Sequence, residues 1–203
     1  GTYLSSLDDN GDNDDDVETV DLPFDFRFYG QVYDKISICS NGWIAFGETD
    51  MESFRNYPMP GPGGPLQMVA VFWDDLKAGS SNTGGVYTYY NASEDMFVIE
   101  WSDVKTFFDN STESFQIILY DTPIEQTATG DGEMKLQYKE FNNTSSGYYP
   151  VGNYAGTPIH GQYCTVGIEN HLGDDGLEYT YNGFYPDAAM PLTDQSALLI
   201  TTG

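Results

Sequence analysis

Leu22-Pro23-Phe24-Asp25-Phe26-Arg27-Phe28 puts Leu22 and three phenylalanines at every second position, with Pro23, Asp25 and Arg27 between them. Side chains alternate across a strand, so one face of this stretch is apolar and the other polar. A helix would scatter the same residues around its circumference. The stretch reads as a half-buried β-strand, and its pattern recurs. Ile36 and Ile38 alternate with Lys35 and Ser37, and Asn41-Gly42 marks a hairpin before Trp43-Ile44-Ala45-Phe46. Met68-Val69-Ala70-Val71-Phe72-Trp73 lacks polar alternation and reads as a strand buried on both faces.

Further strands are expected at 85–90, 96–101, 115–120, 134–138, 163–169, 177–181 and 197–201. Loops rich in Gly, Asn, Asp and Pro separate them, and only Glu48 to Arg55 has a weak helical tendency. Roughly a dozen short strands with such loops predict an all-β fold, an antiparallel β-sandwich of jelly-roll type. No linker or internal repeat divides the chain. The expected organisation is an N-terminal segment, 1–16, followed by one sandwich domain, 17–203.

The 203 residues include 32 acidic and 7 basic ones, a formal charge of -25. Such a surface excludes nucleic acid, which needs a basic footprint, and disfavours an anionic membrane. Aromatic residues make up 15%, too many for a disordered chain, and no apolar run approaches a membrane span. The chain shows no signal peptide and starts at Gly1 as a mature or trimmed product would. The balance fits a secreted protein in which cations offset self-repulsion.

Six carboxylates crowd into nine residues at Asp8-Asp9-Asn10-Gly11-Asp12-Asn13-Asp14-Asp15-Asp16. Two readings stand open. Like charges at this density make a solvated tail. Asx residues around a Gly also present oxygen ligands to a hard cation, with Asp8, Asp9, Asn10, Asp12, Asp14 and Asp16 as the shell for Ca²⁺. No Glu closes a twelve-residue loop, so this is not an EF-hand. Asp74 and Asp75 end the Met68–Trp73 strand, where they either bind a second cation or cap the next loop. Asp174-Asp175-Gly176 reads as a hairpin turn.

Cys39 and Cys164 are either a disulfide or two buried thiols. Alternation puts Cys39 opposite Ile36 and Ile38, whereas Cys164 shares a face with Val166 and Ile168. Sequons at Asn91, Asn110, Asn142 and Asn143 fall in expected loops and are candidate glycosylation sites. Tyr89-Tyr90, Tyr148-Tyr149, Tyr154, Tyr181 and Tyr185 are either ordinary strand and loop residues or a sugar-stacking or protein-binding surface. The two histidines, His160 and His171, lie in loops, and neither a Gly-x-Ser-x-Gly elbow nor a His-Glu-x-x-His helix occurs. No catalytic residue is nominated.

Several segments carry a resemblance when taken in order. They are Phe28-Tyr29-Gly30, Ser40-Asn41-Gly42-Trp43-Ile44, Val71-Phe72-Trp73-Asp74-Asp75-Leu76, Phe97-Val98-Ile99-Glu100-Trp101, Phe115-Gln116-Ile117-Ile118-Leu119-Tyr120, Thr165-Val166-Gly167-Ile168-Glu169-Asn170 and Asp175-Gly176-Leu177-Glu178-Tyr179. The series resembles extracellular β-sandwich modules of large secreted bacterial proteins, such as accessory regions of secreted proteases and adhesins. More loosely, it is similar to the nidogen-type domain. The resemblance implies an extracellular, non-catalytic module for adhesion, spacing or assembly. The long acidic run departs from that pattern.

The expectation is thus a structural, non-enzymatic module that assembles with copies of itself. An open sandwich leaves unpaired edges, and a segment donated by a neighbour would cover one. Thr2-Tyr3-Leu4-Ser5-Ser6-Leu7 or Ala197-Leu198-Leu199-Ile200-Thr201 is the candidate donor, and head-to-tail donation would propagate a filament. The alternative is an adhesion module for glycans or protein, attached to a secreted enzyme.

Overall fold

The computed structural model describes residues 1–9, 15–80, 82–121, 127–145, 150–151, 154–158 and 161–202. Of the expected sites, Asn10, Asp12, Asp14, His160, Tyr148 and Tyr149 lie outside these residues, as does the side chain of Tyr154.

Fifteen strands form, with no α-helix among the described residues. They are β1 (Thr2–Tyr3), β2 (Val17–Phe28), β3 (Gln31–Cys39), β4 (Trp43–Phe46), β5 (Met68–Trp73), β6 (Leu76–Lys77), β7 (Gly85–Asn91), β8 (Met96–Thr106), β9 (Thr112–Tyr120), β10 (Met134–Glu140), β11 (Pro150–Val151), β12 (Tyr154–Pro158), β13 (Thr165–Glu169), β14 (Gly176–Tyr181) and β15 (Ser196–Ile200). One sheet runs β1-β7-β8-β9-β10-β15, with β6 added beside β8, and the other runs β14-β13-β5-β4-β3-β2. All these pairings are antiparallel. β11 and β12 form a separate ribbon. The all-β sandwich is as expected.

The opening stretch shows why the alternation matters. Leu22, Phe26 and Phe28 are buried and Phe24 half-buried, while Pro23, Asp25 and Arg27 are exposed. Pro23 cannot donate to a ladder, and it sits on an edge strand where the β2–β3 register jumps between Asp21 and Phe26. Phe26 stacks on Phe46 at 5.0 Å, and Phe28 meets the same ring at 4.6 Å. The two sheets close over this core, tied by Tyr138 Oη donating to Val71 O (2.8 Å) and Trp101 Nε1 donating to Cys39 O (3.0 Å).

Three expectations are corrected. Residues 48–55 form no helix. Their backbone lies on the outer face of the second sheet, where Trp43 Nε1 and Trp73 Nε1 both donate to Ser53 O, at 2.8 and 2.9 Å. Two indoles occupy the carbonyl that a helix would offer to the N–H four residues on. The start of the expected 1–16 segment, residues 1–9, is not set apart from the sandwich either. β1 pairs with β7, and Leu4 and Leu7 are buried in the core. Finally, the hairpin expected at Asp174-Asp175-Gly176 does join β13 and β14, but its loop is 170–175 and Gly176 lies outside the turn. Gly176 already pairs with Glu169, and the Asn170 side chain organises the loop by accepting from Leu172 N and Asp174 N.

Cys39 and Cys164 are free and buried, so the disulfide reading is not the one the structure adopts. They belong to different apolar clusters, Cys164 between the sheets and Cys39 on the outer side with Trp43 and Trp73. Strands β3 and β13 are three ladder steps apart, roughly 14 Å, far beyond the span of a disulfide. Burial pushes the Cys39 thiol up to about 12 and the Cys164 thiol well above its usual value. Reductant should leave the melting temperature unchanged, and iodoacetamide should label both thiols only after unfolding. Mass spectrometry of native and denatured samples checks this, and a Tm loss under reductant would contradict it.

Candidate functional site

Two features stand out, a buried acidic corner that gathers residues singled out in the sequence and an open apolar flank that the sequence did not reveal.

The corner lies where the chain crosses from β5 to β6, hence from one sheet to the other. Backbone that turns between layers leaves polar groups to satisfy. Asn41, fully buried, does much of this: its Oδ1 accepts from Leu76 N (2.9 Å), its carbonyl accepts from Asp74 N (3.4 Å), and its Nδ2 donates to Asp15 Oδ1 (2.9 Å). Asp15 and Asp16, the last residues of the acidic run, are thereby pinned beside the corner. Asp16 N donates to Ser40 Oγ (3.0 Å), and Ser40 N donates to Asp16 O (2.9 Å). At the other end of the run Asp9 N donates to Ala78 O (2.7 Å), and Asp8 Oδ1 accepts from the Tyr3 hydroxyl. Among the described residues, no group of three or more His, Cys, Asp or Glu is placed to hold a metal.

Asp74 and Asp75 are both buried. Asp74 caps, since its Oδ1 accepts from Asp75 N (2.8 Å), but its buried Oδ2 has no hydrogen-bond partner. Burial, reinforced by the charges of Asp75, Glu113 and Asp109, holds the Asp74 carboxyl well above the usual range. Glu113 is also fully buried. Its oxygens accept from Ser111 Oγ (2.7 Å), Asn142 N (2.8 Å) and Asn143 N (3.0 Å). Burial outweighs these bonds and pushes its carboxyl up to about 7. Asp109 is exposed and goes the other way: its slight desolvation raises the carboxyl, but hydrogen bonds from Thr106, Ser111 and Thr144 together outweigh it and favour the charge. Glu113 was missed in the sequence, because nothing local joins it to a carboxylate 39 positions earlier.

The sequons sit around this corner and along the first sheet. Asn110 is exposed, with Oδ1 accepting from Lys77 Nζ (2.7 Å). Asn142 Nδ2 donates to Thr112 O (2.7 Å), and Asn143 Oδ1 accepts from Cys164 N (3.0 Å). Asn91 ends β7, and its Oδ1 accepts from Ser93. Tyr89 and Tyr90 are exposed, whereas Tyr181 and Tyr185 are half-buried. Tyr3 and Tyr87 form an exposed ring pair 5.0 Å apart beside them.

The flank is built from strands β14 and β15, each the last of its sheet. The connection from β14 to β15 crosses part of the gap, with Tyr179 Oη donating to Met190 O (2.8 Å) and Leu192 N donating to Tyr185 Oη (3.3 Å). The β2–β3 hairpin tip reaches across one end, where Gly132 N donates to Arg27 O (2.7 Å) and Gly30 N to Asp131 Oδ1 (2.8 Å). Between these two covers the sandwich stays open as a cleft of about 380 Å³, lined by Phe28, Leu136, Val166, Leu177, Tyr179 and Leu198, among others. Leu177 lines the cleft yet is 58% exposed. Phe184 and Met190, whose backbones bond to Tyr181 and Tyr179 of β14, are 76% and 80% exposed, and exposed apolar side chains gathered beside a cleft mark an interaction surface where a lone one would not.

The fold and these features define an antiparallel two-sheet module whose buried carboxylates serve its corner and whose core is open along one flank. The family model described as NIDO related matches residues 2–194, and the chain belongs to that family. Neither the search of curated proteins nor that of solved structures returned a match. No helix among the described residues is long and apolar enough to cross a membrane.

Proposed function

We propose that the chain is a non-enzymatic extracellular module that works by holding another polypeptide on its open flank. The observation that carries this is the exposure of Leu177 in a cleft between two edge strands. Membership of the NIDO related family and the charge of -25 support an extracellular setting. Assembly of copies through donated termini has less support, because Thr2–Tyr3 and Ser196–Ile200 each pair inside the chain, with β7 and β10. A second reading, glycan contact, draws on the exposed pair Tyr3 and Tyr87.

An apolar cleft open to water should enhance the fluorescence of anilinonaphthalene sulfonate in the native state. Leu177→Asp, at an exposed position, should abolish the enhancement and leave the circular dichroism unchanged. Unaltered dye binding in the variant, or none in the parent chain, would remove the flank from consideration.

Ca²⁺ held by Asp8, Asp9, Asn10, Asp12, Asp14 and Asp16 belongs to the same proposal. A cation bound only by the folded state stabilises by mass action, so chelation with EDTA should lower Tm by about 5–10 °C. An unchanged Tm would show that the fold does not depend on a cation there, the hydrogen bonds of Asp9, Asp15 and Asp16 to Ala78, Asn41 and Ser40 being sufficient.

A further inference from the structure

We propose that the outer face of the first sheet is a glycan-binding platform whose ligand is a short sugar chain carrying a carboxylate on one ring. The inference rests on the second reading above, glycan contact, and does not depend on the open flank. Three observations lead to it.

The first is a row of side chains. Tyr3 pairs with Tyr87, Tyr87 with Glu100, Glu100 with Gln116, and Gln116 with Gln137, so the row crosses β1, β7, β8, β9 and β10 in one line. Each of the last four lies between two buried residues of its own strand, and the row therefore faces outward. Its members repeat at the strand spacing of about 4.8 Å, close to the length of one pyranose in a chain. The second observation is what the row offers. Tyr3 and Tyr87 have ring centres 5.0 Å apart, and both are exposed. Tyr3 is held in place, because its hydroxyl donates to Asp8 and its ring lies over Gly85, where an added Cβ would come within 2.4 Å of it. Further along, Gln116 Nε2 donates to Gln137 Oε1 (2.6 Å), a single bond that leaves each amide with more donors and lone pairs to offer. A flat polypeptide face laid here would desolvate Glu100 and both amides without replacing their water. A pyranose brings an apolar ring face for the tyrosines and hydroxyls for Glu100 and the amides.

The third is charge. Lys135 and Lys139 stand on either side of Gln137 along β10. Among the described residues neither is in an ion pair, although the chain has 32 acidic residues for 7 basic ones. The residues that pair with Lys135 and Gln137, namely Ile118, Gln116, Leu199 and Ala197, are all uncharged. Glu140 follows Lys139 at the bulge, and Glu100 lies two strands away. The β10 end of the row is thus complementary to an anion and the β8 position is not. That places the ligand's carboxylate over β10 and its uncharged rings toward Tyr87 and Tyr3.

The test is an NMR titration of the full chain with two probes, xylotetraose and xylotriose bearing one glucuronate. The glucuronate probe should bind about fivefold more tightly than xylotetraose, and added salt should close the gap. Both probes should shift the side-chain amide signals of Gln116 and Gln137. Replacing both lysines, Lys135→Gln with Lys139→Gln, should bring the two affinities together. Tyr87→Ala, at an exposed position, should abolish binding of both probes while keeping the native circular dichroism. Equal binding of the two probes by the parent chain would overturn the carboxylate and leave glycan contact standing. Binding of neither would overturn both, and the dye test of the flank is independent of either result. Shifts confined to the cleft around Leu177 and Leu198 would overturn the platform by moving the sugar elsewhere. A dimer in sedimentation velocity that Tyr87→Ala dissociates would also overturn it, by making the occupant a second copy.

Discussion

Gly42→Ala should destabilise the fold by about 3–5 kcal/mol and lower Tm by about 10 °C or more. Gly42 has φ +76°, a conformation L side chains rarely adopt. Space is the larger obstacle. A Cβ built there would lie 2.0 Å from Phe72 O and 2.8 Å from Phe72 C, which are backbone atoms of a fully buried strand. The turn cannot back away cheaply, because Gly42 O accepts from both Val71 N (3.0 Å) and Phe72 N (2.9 Å). Its neighbour Asn41 also holds Leu76, Asp74 and Asp15, so a displaced turn loosens the corner and the anchored end of the acidic run. Gly30 is the internal control. It has the same φ of +76°, but nothing lies within 4 Å of its added Cβ. Gly30→Ala should cost only the backbone term, about 1–2 kcal/mol. Urea unfolding of both variants gives the comparison, and equal losses would refute the steric account.

That contrast shows what the sequence could and could not reveal. Asn41-Gly42 was readable as a hairpin because turn chemistry is local, and β3 and β4 do flank it. The alternation of Leu22 to Phe28 was readable because a strand's two faces meet different solvents. The same rule placed Cys39 and Cys164 relative to their neighbours but left the disulfide and the two thiols both open; the structure puts them on opposite sides of a sheet. What periodicity cannot report is whether an inner face is covered. Leu177 looks like an ordinary core position, and its exposure depends on where the 182–195 connection crosses the gap, while Leu198 and Ile200 are only partly covered. The weak helix expected at 48–55 failed for a related reason, since two distant indoles claim the Ser53 carbonyl. The acidic corner was half legible. Asp74 and Asp75 were marked by their place at a strand end, while Glu113 joins them only through the packing of β9 in the other sheet.

Stability should be greatest near pH 4–5 and fall steadily toward about pH 8, because the corner buries carboxyls in their neutral form. Glu113 is pushed from 4.5 to about 7, and Asp74 is raised well above 3.8, each chiefly by burial. A folded-state pKa above the unfolded one means that the native protein binds more protons between the two values. The stabilisation is therefore complete below the unfolded pKa and is lost as pH rises through the folded one. For Glu113 the shift corresponds to about 3 kcal/mol. Asp109 has the opposite sign and matters only in acid, below its usual value. Ionisation of the remaining surface carboxylates adds repulsion in the same direction as Glu113 and Asp74. Asp74→Asn separates the corner from that background. It keeps an oxygen for Asp75 N, removes the charge beside the partnerless Oδ2, and should raise stability by about 1–3 kcal/mol at pH 8 with little change at pH 5. Asp74→Ala, which deletes the acceptor of Asp75 N as well, should be less stable than Asp74→Asn at both. Chemical denaturation across pH measures all three proteins. A slope in Asp74→Asn as steep as in the parent, or a variant less stable than the parent at pH 8, would mean that Asp74 is not kept neutral in the native state.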